Sequence, residues 1–345
     1  MLRLPPFRLH QPTSLDEAAK ILAGEGEKAR VVAGGTDLWP NMKRRHQKAE
    51  HVVALGRVRE LRGVRANGEL RIGAMETLTD VETHPAVRAR YPALARAVAA
   101  ISSPLLRNMG TLGGNVCLDT RCTYYNQNEE WRQAIDYCMK AEGAVCWVAP
   151  SSPRCWAVNS SDAAPMLWAL GARVRLVSAG GEREIPISAL YRDDGMDYLT
   201  KRPDEIVAEI VLPETSRAER CRTAFFKLRR RGSIDFGVLS VAVALWMEGG
   251  MEGGMEGGME RGLEGNVVRD AKVVLGSIAS LPSSADDVAR ALVGSRLDAE
   301  LVRAAAAKSR SAATPMDNTD LDPRWRGQVT PVYVERTLLA AAAGS

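Results

Sequence analysis

Two pairs of adjacent glycines set the terms for this chain. Gly34 and Gly35 in "VVAGGTDLWPNMK" follow a β-branched run, and Gly113 and Gly114 in "RNMGTLGGN" follow a helical stretch. Glycine has no Cβ, so backbone N–H groups at such turns can come close to a ligand. Two such loops in one domain suit the two phosphates of a dinucleotide. Neither has the G-x-G-x-x-G spacing of the nicotinamide βαβ fingerprint, so that site is not supported.

The segments around the loops alternate between helix and strand signals. Ser14 is placed to cap a helix running to about Ala23; "ARVVA", ending at Ala33, and "HVVAL", from His51, read as strands. "AVRARYPALARAVAAI" from Ala86 reads as one helix, and "GARVRLVS" with "EREIPIS" as paired strands. Beyond Pro213 the strand-like "RTAFFKLRRR", "FGVLSVAVALWM" and "AKVVLGSIA" precede Ala-rich helices, which places a boundary near residue 216. The repeat "MEGGMEGGMEGGMERGLEGN", about residues 247–265, is too rich in glycine for a stable helix and reads as a flexible surface hairpin.

With 46% apolar and 26% charged residues the chain is expected to be soluble and globular. No apolar leader opens it, and the longest apolar run, Val238 to Trp246, is too short to cross a bilayer, so a cytoplasmic protein away from membranes is expected. A net charge of +4, spread along the chain, gives no footprint for nucleic acid, and Arg229 to Arg231 reads as a solvated face.

Six cysteines in a reducing compartment are free, metal-bound or catalytic more often than paired. Four of them, Cys122, Cys138, Cys146 and Cys155, gather in one stretch with 15, 7 and 8 residues between them, unlike the close-set ligands of zinc ribbons or bacterial ferredoxins. Four thiolates suit either a tetrahedral zinc or a [4Fe–4S] cluster, and spacing alone does not choose. Cys117 competes as a ligand, and Cys221 reads as a small buried hydrophobe.

"VVAGGTDLWPNMK", "RNMGTLGGN" and "SSDAAPMLWALGARVRL" resemble the FAD-binding subunit of the molybdenum hydroxylase (xanthine oxidase) family, and the resemblance covers nearly the whole chain. It implies an α+β fold. A two-part FAD-binding domain over 1–216, a small α/β lobe plus a mixed or antiparallel sheet lobe with helices, would precede a C-terminal domain over 217–345 of antiparallel sheet packed with helices. It also implies FAD contacts. Val31, Val32, Ala33, Gly34, Gly35, Thr36, Asp37 and Leu38, with Thr111, Leu112, Gly113, Gly114 and Asn115, would meet the diphosphate and ribityl chain, Asp162 would contact the cofactor, and Ile101, Val207 and Lys227 would line the flavin. No histidine sits in a context of covalent attachment, so unlinked FAD is expected.

Most of the family passes directly from the second loop to the Ser-Asp pair, whereas here 46 residues separate Asn115 from Asp162. This insert, about 117–158, resembles that of the 4-hydroxybenzoyl-CoA reductase branch, which implies a [4Fe–4S] cluster on Cys122, Cys138, Cys146 and Cys155 and leaves Cys117 outside the ligand set. The implied function is electron transfer with no catalytic acid or base on this chain. Electrons from reduced ferredoxin would pass by way of the cluster and FAD to a small subunit with two [2Fe–2S] clusters, and then to a molybdopterin-bearing large subunit that dehydroxylates 4-hydroxybenzoyl-CoA to benzoyl-CoA. The alternative is a related hydroxylase oxidising an aromatic or heteroaromatic substrate, the cluster being an exit to ferredoxin. A flavin-free scaffold with a zinc-stapled insert is a reading of another class.

Overall fold

Ser14 starts the first helix, Leu15–Glu25: its backbone is extended at φ −131°, and its hydroxyl accepts the N–H of Glu17 at 3.1 Å. Leu15, Ala18, Ala19 and Leu22 form the buried stripe, which closes over a small parallel sheet. That sheet holds β1 (Arg8–His10), β2 (Ala29–Val32) and β3 (His51–Ala54) in the order β1-β3-β2. The computed structural model describes residues 2–216, 221–248 and 267–344. Residues 249–266, nearly all of the Met-Glu-Gly-Gly repeat, lie outside the described residues, and with them the surface-hairpin reading.

The second sheet is antiparallel, β4-β5-β8-β6-β7, built from β4 (Val64–Asn67), β5 (Glu69–Gly73), β6 (Arg173–Ser178), β7 (Gly181–Pro186) and β8 (Ile206–Leu212). β6 alternates half-buried and buried residues as its sequence suggests. The central β8 is buried at every position, Glu209 included, and Arg65, Arg71 and Arg175 converge on that carboxylate. A buried charge needs such partners.

One helix reads differently in the structure. The stretch from Ala86 is two helices, Pro85–Arg90 and Pro92–Ala99, broken at Tyr91 with φ −138° and ψ 60°. A residue before proline is pushed out of the α region, and this outweighed the apolar periodicity.

The third sheet, β12-β11-β10-β9, is antiparallel and comprises β9 (Arg222–Leu228), β10 (Leu239–Met247), β11 (Val268–Gly276) and β12 (Ser283–Ser284). β10 has two buried faces with different residues: Val241, Val243 and Leu245 pack with Val334 and Leu338 of the last helix, Pro323–Ala342, while Ala242, Ala244 and Trp246 join the core that lies over the second sheet. The small alanines admit the helix Ala163–Ala169, which lies on β10 and β11 and brings Asp162, at its start, to Lys227 on β9. The fold is the α+β arrangement expected, an N-terminal part with a small parallel and a larger antiparallel sheet, followed by an antiparallel sheet with helices. Among the described residues, no helix is long and apolar enough to cross a membrane.

Candidate functional site

A cleft of about 750 Å³ opens where β2 ends. Val31, Val32, Ala33, Gly34, Gly35, Thr36, Asp37 and Leu38 all line it, with Ile101, Thr111, Gly113, Gly114, Asn115, Asp162 and Val207. The sequence-chosen residues therefore converge, with two exceptions. Leu112 is fully buried in the main core, and Lys227 stands behind the wall, its Nζ donating to Asp162 Oδ2 at 2.6 Å and to Ala100 O at 3.1 Å.

The glycines also serve a purpose beyond the one first read from them. A Cβ on Gly34 would lie 1.8 Å from Met109 O, and one on Gly113 would lie 2.6 Å from Ala74 Cβ, so both admit neighbouring protein as well as lining the cleft. Gly35 has φ +74°, a conformation that disfavours side chains, and its Cβ would strike the Trp39 ring. Gly34 against Met109 braces the two loops on each other.

Their hydrogen bonds separate the loops further. The N–H groups of Gly34, Gly35, Thr36 and Asp37 have no acceptor among the described residues. In the second loop the donors are already engaged: Leu112 N to Glu76 O, Gly113 N to Ala74 O, Gly114 N to Thr111 Oγ1 and Asn115 N to Thr111 O. Only the first loop presents a run of free amides, the kind of concavity that holds a diphosphate. The second loop shapes the wall.

Two ion pairs flank the cleft. Asp37 pairs with Arg121, whose guanidinium lies over the Phe236 ring, and burial raises the Asp37 carboxyl while Arg121 opposes the shift. Burial pushes Asp162 up to about 6 even with the Lys227 ammonium in contact, and its Oδ1 has no hydrogen-bond partner. Ser160 Oγ, on the same rim, is also unpartnered. Buried polar atoms left open beside free amides are what an absent polar ligand would satisfy, and the residues present fit FAD.

The insert leaves and rejoins the cleft through a clasp. Asn115 Oδ1 accepts from Ser161 Oγ at 2.8 Å and Ala163 N at 3.3 Å, and Arg121 and Val158 exchange backbone hydrogen bonds of 2.8 and 2.6 Å. Inside it Cys122, Cys138, Cys146 and Cys155, all buried and none disulfide-bonded, line one small hollow with Tyr125 and Trp147. Burial raises Cys122 to about 11 and Cys155 to about 12, so both thiols would release protons on taking a metal. Four thiolates on one zinc, with Zn–S near 2.3 Å, sit about 3.8 Å apart. Among the described residues no three of these sulfurs lie within 4.8 Å of one another, and four soft donors are a set that either a zinc ion or an iron–sulfur cluster takes. Cys117 lines the flavin cleft instead, and Cys221 is buried in the main core.

Sequence reasoning missed Asp119, Arg121, Tyr198 and Lys201, all on the cleft wall. The first two carried a signal, being charges that lie between Cys117 and Cys122, while the other two lie in a link with no motif.

Residues 5–215 match the family described as the FAD binding domain in molybdopterin dehydrogenase, and residues 224–341 match the CO dehydrogenase flavoprotein C-terminal domain. The chain belongs to this flavoprotein family. It is a FAD-binding subunit of the molybdenum hydroxylase family of oxidoreductases. The carbon monoxide dehydrogenase medium chain of Hydrogenophaga pseudoflava is 27% identical over 98% of both chains, and a carbon monoxide dehydrogenase structure from that organism superposes with a TM-score of 0.77 at 26% identity over 99% of both. An Escherichia coli aldehyde oxidoreductase FAD-binding subunit is 30% identical over 70% of this chain and 77% of its own, and the nicotine 6-hydroxylase medium subunit of Paenarthrobacter nicotinovorans is 24% identical over 99% of both. The family match carries the flavin; the iron–sulfur cluster and the 4-hydroxybenzoyl-CoA reductase branch rest on the insert.

Proposed function

We propose that this chain, its two units dividing near residue 216, is the electron-transfer subunit of a multi-subunit molybdenum hydroxylase-type enzyme and holds both FAD and a [4Fe–4S] cluster. The observation that carries it is the convergence of four buried, unpaired thiols on one hollow beside a cleft whose first loop offers free amides. The partners would be a molybdopterin-bearing large subunit and a small subunit with [2Fe–2S] clusters.

The residues divide the work. Gly34 to Asp37 would donate to the diphosphate, Gly113, Gly114 and Asn115 would shape the far wall, Asp162 would accept from the cofactor through its open oxygen, and Lys227 would keep that carboxylate aimed. Ile101 and Val207 would exclude water from the flavin. Cys122, Cys138, Cys146 and Cys155 would hold the cluster. When bound, the two groups supply one- and two-electron transfer on the flavin and one-electron exchange on the cluster. No acid or base chemistry is asked of the chain.

The relatives include a nicotine 6-hydroxylase subunit, which favours oxidation of an aromatic or heteroaromatic substrate, with the cluster exchanging electrons with a ferredoxin. Reductive dehydroxylation of 4-hydroxybenzoyl-CoA with reduced ferredoxin as donor is the second reading, favoured by the 46-residue insert. Iron and flavin analysis of the anaerobically purified chain, with EPR after reduction, tests the shared part: about four irons and one FAD are expected from the ligand sets. Zinc in place of iron would overturn it. The assembled enzyme, assayed with 4-hydroxybenzoyl-CoA under reduced ferredoxin and with N-heteroaromatics under an oxidant, separates the two.

A further inference from the structure

A buried ion pair stands between the thiol hollow and the flavin cleft. Lys140, in the turn Met139–Ala141, has a side chain only 6% exposed, and its Nζ donates to Asp119 Oδ1 at 2.8 Å, Thr120 Oγ1 at 2.8 Å and Gly195 O at 2.6 Å. The ammonium also lies 4.9 and 5.2 Å from the ring centres of Tyr125 and Tyr198. Every donor of this cation is thus fixed.

The two partners face different sites. Lys140 lines the hollow, where among the described lining residues it alone carries a charge other than the thiols can. Asp119, 4% exposed, lines the cleft, and its second oxygen accepts from Gln47 Nε2 at 2.9 Å. Gly195 holds the cation close to the sulfurs: its N–H donates to Cys155 O at 2.9 Å, and a Cβ there would lie 2.8 Å from Cys155 Sγ. Other charges, among them the Asp37–Arg121 pair, Asp197 and Lys201, stand on the cleft side. An oriented dipole results, positive toward the thiols and negative toward the flavin.

We propose that Lys140 and Asp119 form a fixed dipole that sets the gap in reduction potential between the two redox sites, raising the potential of the thiol-held cluster and lowering that of the flavin. Reduction adds negative charge. A buried cation stabilises that charge and a buried anion opposes it, with little screening by salt. The inference rests on the [4Fe–4S] reading, and concerns residues that would ligate neither cofactor's metal nor its phosphates.

Redox titration of the loaded wild-type chain, followed by EPR for the cluster and absorbance for the flavin, tests it against Lys140→Met and Asp119→Asn. The first variant should move the cluster midpoint to more negative values, and the second should move both midpoints to more positive values. A wall that matters only as packing would let in water in both variants and shift the cluster the same way in each, which overturns the proposal. Unchanged midpoints in variants with full iron and flavin also overturn it. Should either single variant fail to fold, the charge-neutral double variant keeps the test: its cluster midpoint should fall and its flavin midpoint rise, and a common direction sinks the idea. A wild-type chain that takes up flavin but no iron overturns the cluster reading and this inference together.

Discussion

The FAD cleft takes its shape from main chain: free amides from Gly34 to Asp37, a loop-to-loop contact at Gly34 and Met109, and the ends of β2 and β5. The thiol hollow a few residues away takes its shape from side chains on irregular backbone, with Cys122, Tyr125, Cys138, Cys155 and Ala157 forming a small core of their own. A site made of backbone is damaged by adding atoms, and a site made of side chains by removing them. The two should therefore fail independently and for opposite reasons.

The largest effect should come from Gly34→Val. Its Cβ would enter the space of Met109 O, forcing the loops apart, and a loss of about 3 kcal/mol in urea unfolding together with loss of FAD is expected. Iron should stay, and a variant that loses both would break the contrast. Cys146→Ser should do the reverse, with iron falling to near zero while flavin released on denaturation stays at the wild-type amount. If FAD leaves with the iron, the hollow staples the fold.

Lys227→Met should act more mildly and with pH. It strands Asp162 in a buried site, at about 2 kcal/mol when the carboxylate is ionised. In the intact protein the native state keeps the Asp162 proton up to about 6, against an ordinary value of 3.8, so this group makes stability fall as pH rises across that window. Without the ammonium the proton is held to higher pH still. The defect should thus be largest at pH 8 and shrink as pH falls toward about 6, below which both native states hold the proton; a defect independent of pH between 5 and 8, in thermal melts, would remove Asp162 from the explanation. The smallest effect belongs to Lys48→Ala, which breaks an exposed pair with Glu142 of the insert, 2.7 Å apart and 73% and 74% exposed. Neither cofactor content nor melting temperature should move measurably.

Much of the cleft could be read in the sequence because short motifs carried it: a strand, a glycine pair and a cap are local devices. The reason for the glycines could not, since Met109 and Ala74 lie far along the chain from Gly34 and Gly113. β8 was hard to read as a central strand because Glu209 interrupts its apolar run, and the arginines that make that charge tolerable come from three other segments. The break at Tyr91 was available from Pro92 and was masked by the stronger helical period on both sides. The cysteines announced a site by number, while their spacing had no template. The resemblance of the insert singled out these four and left Cys117 aside, and the folded insert has the four lining one hollow and Cys117 on the cleft.

The clasp at the base of the insert has a consequence for how such a protein could arise. Asn115 is hydrogen-bonded to Ser161 and Ala163 across the length of the insert, with a second pairing between Arg121 and Val158. Chain lying outside a closed pair of anchors can lengthen with an entropy penalty that grows only logarithmically. An ancestral flavoprotein could have admitted a longer loop there without disturbing its nucleotide grip, and tried out thiols on it one at a time. The clasp would keep the nucleotide site in place whatever the loop beyond it carries.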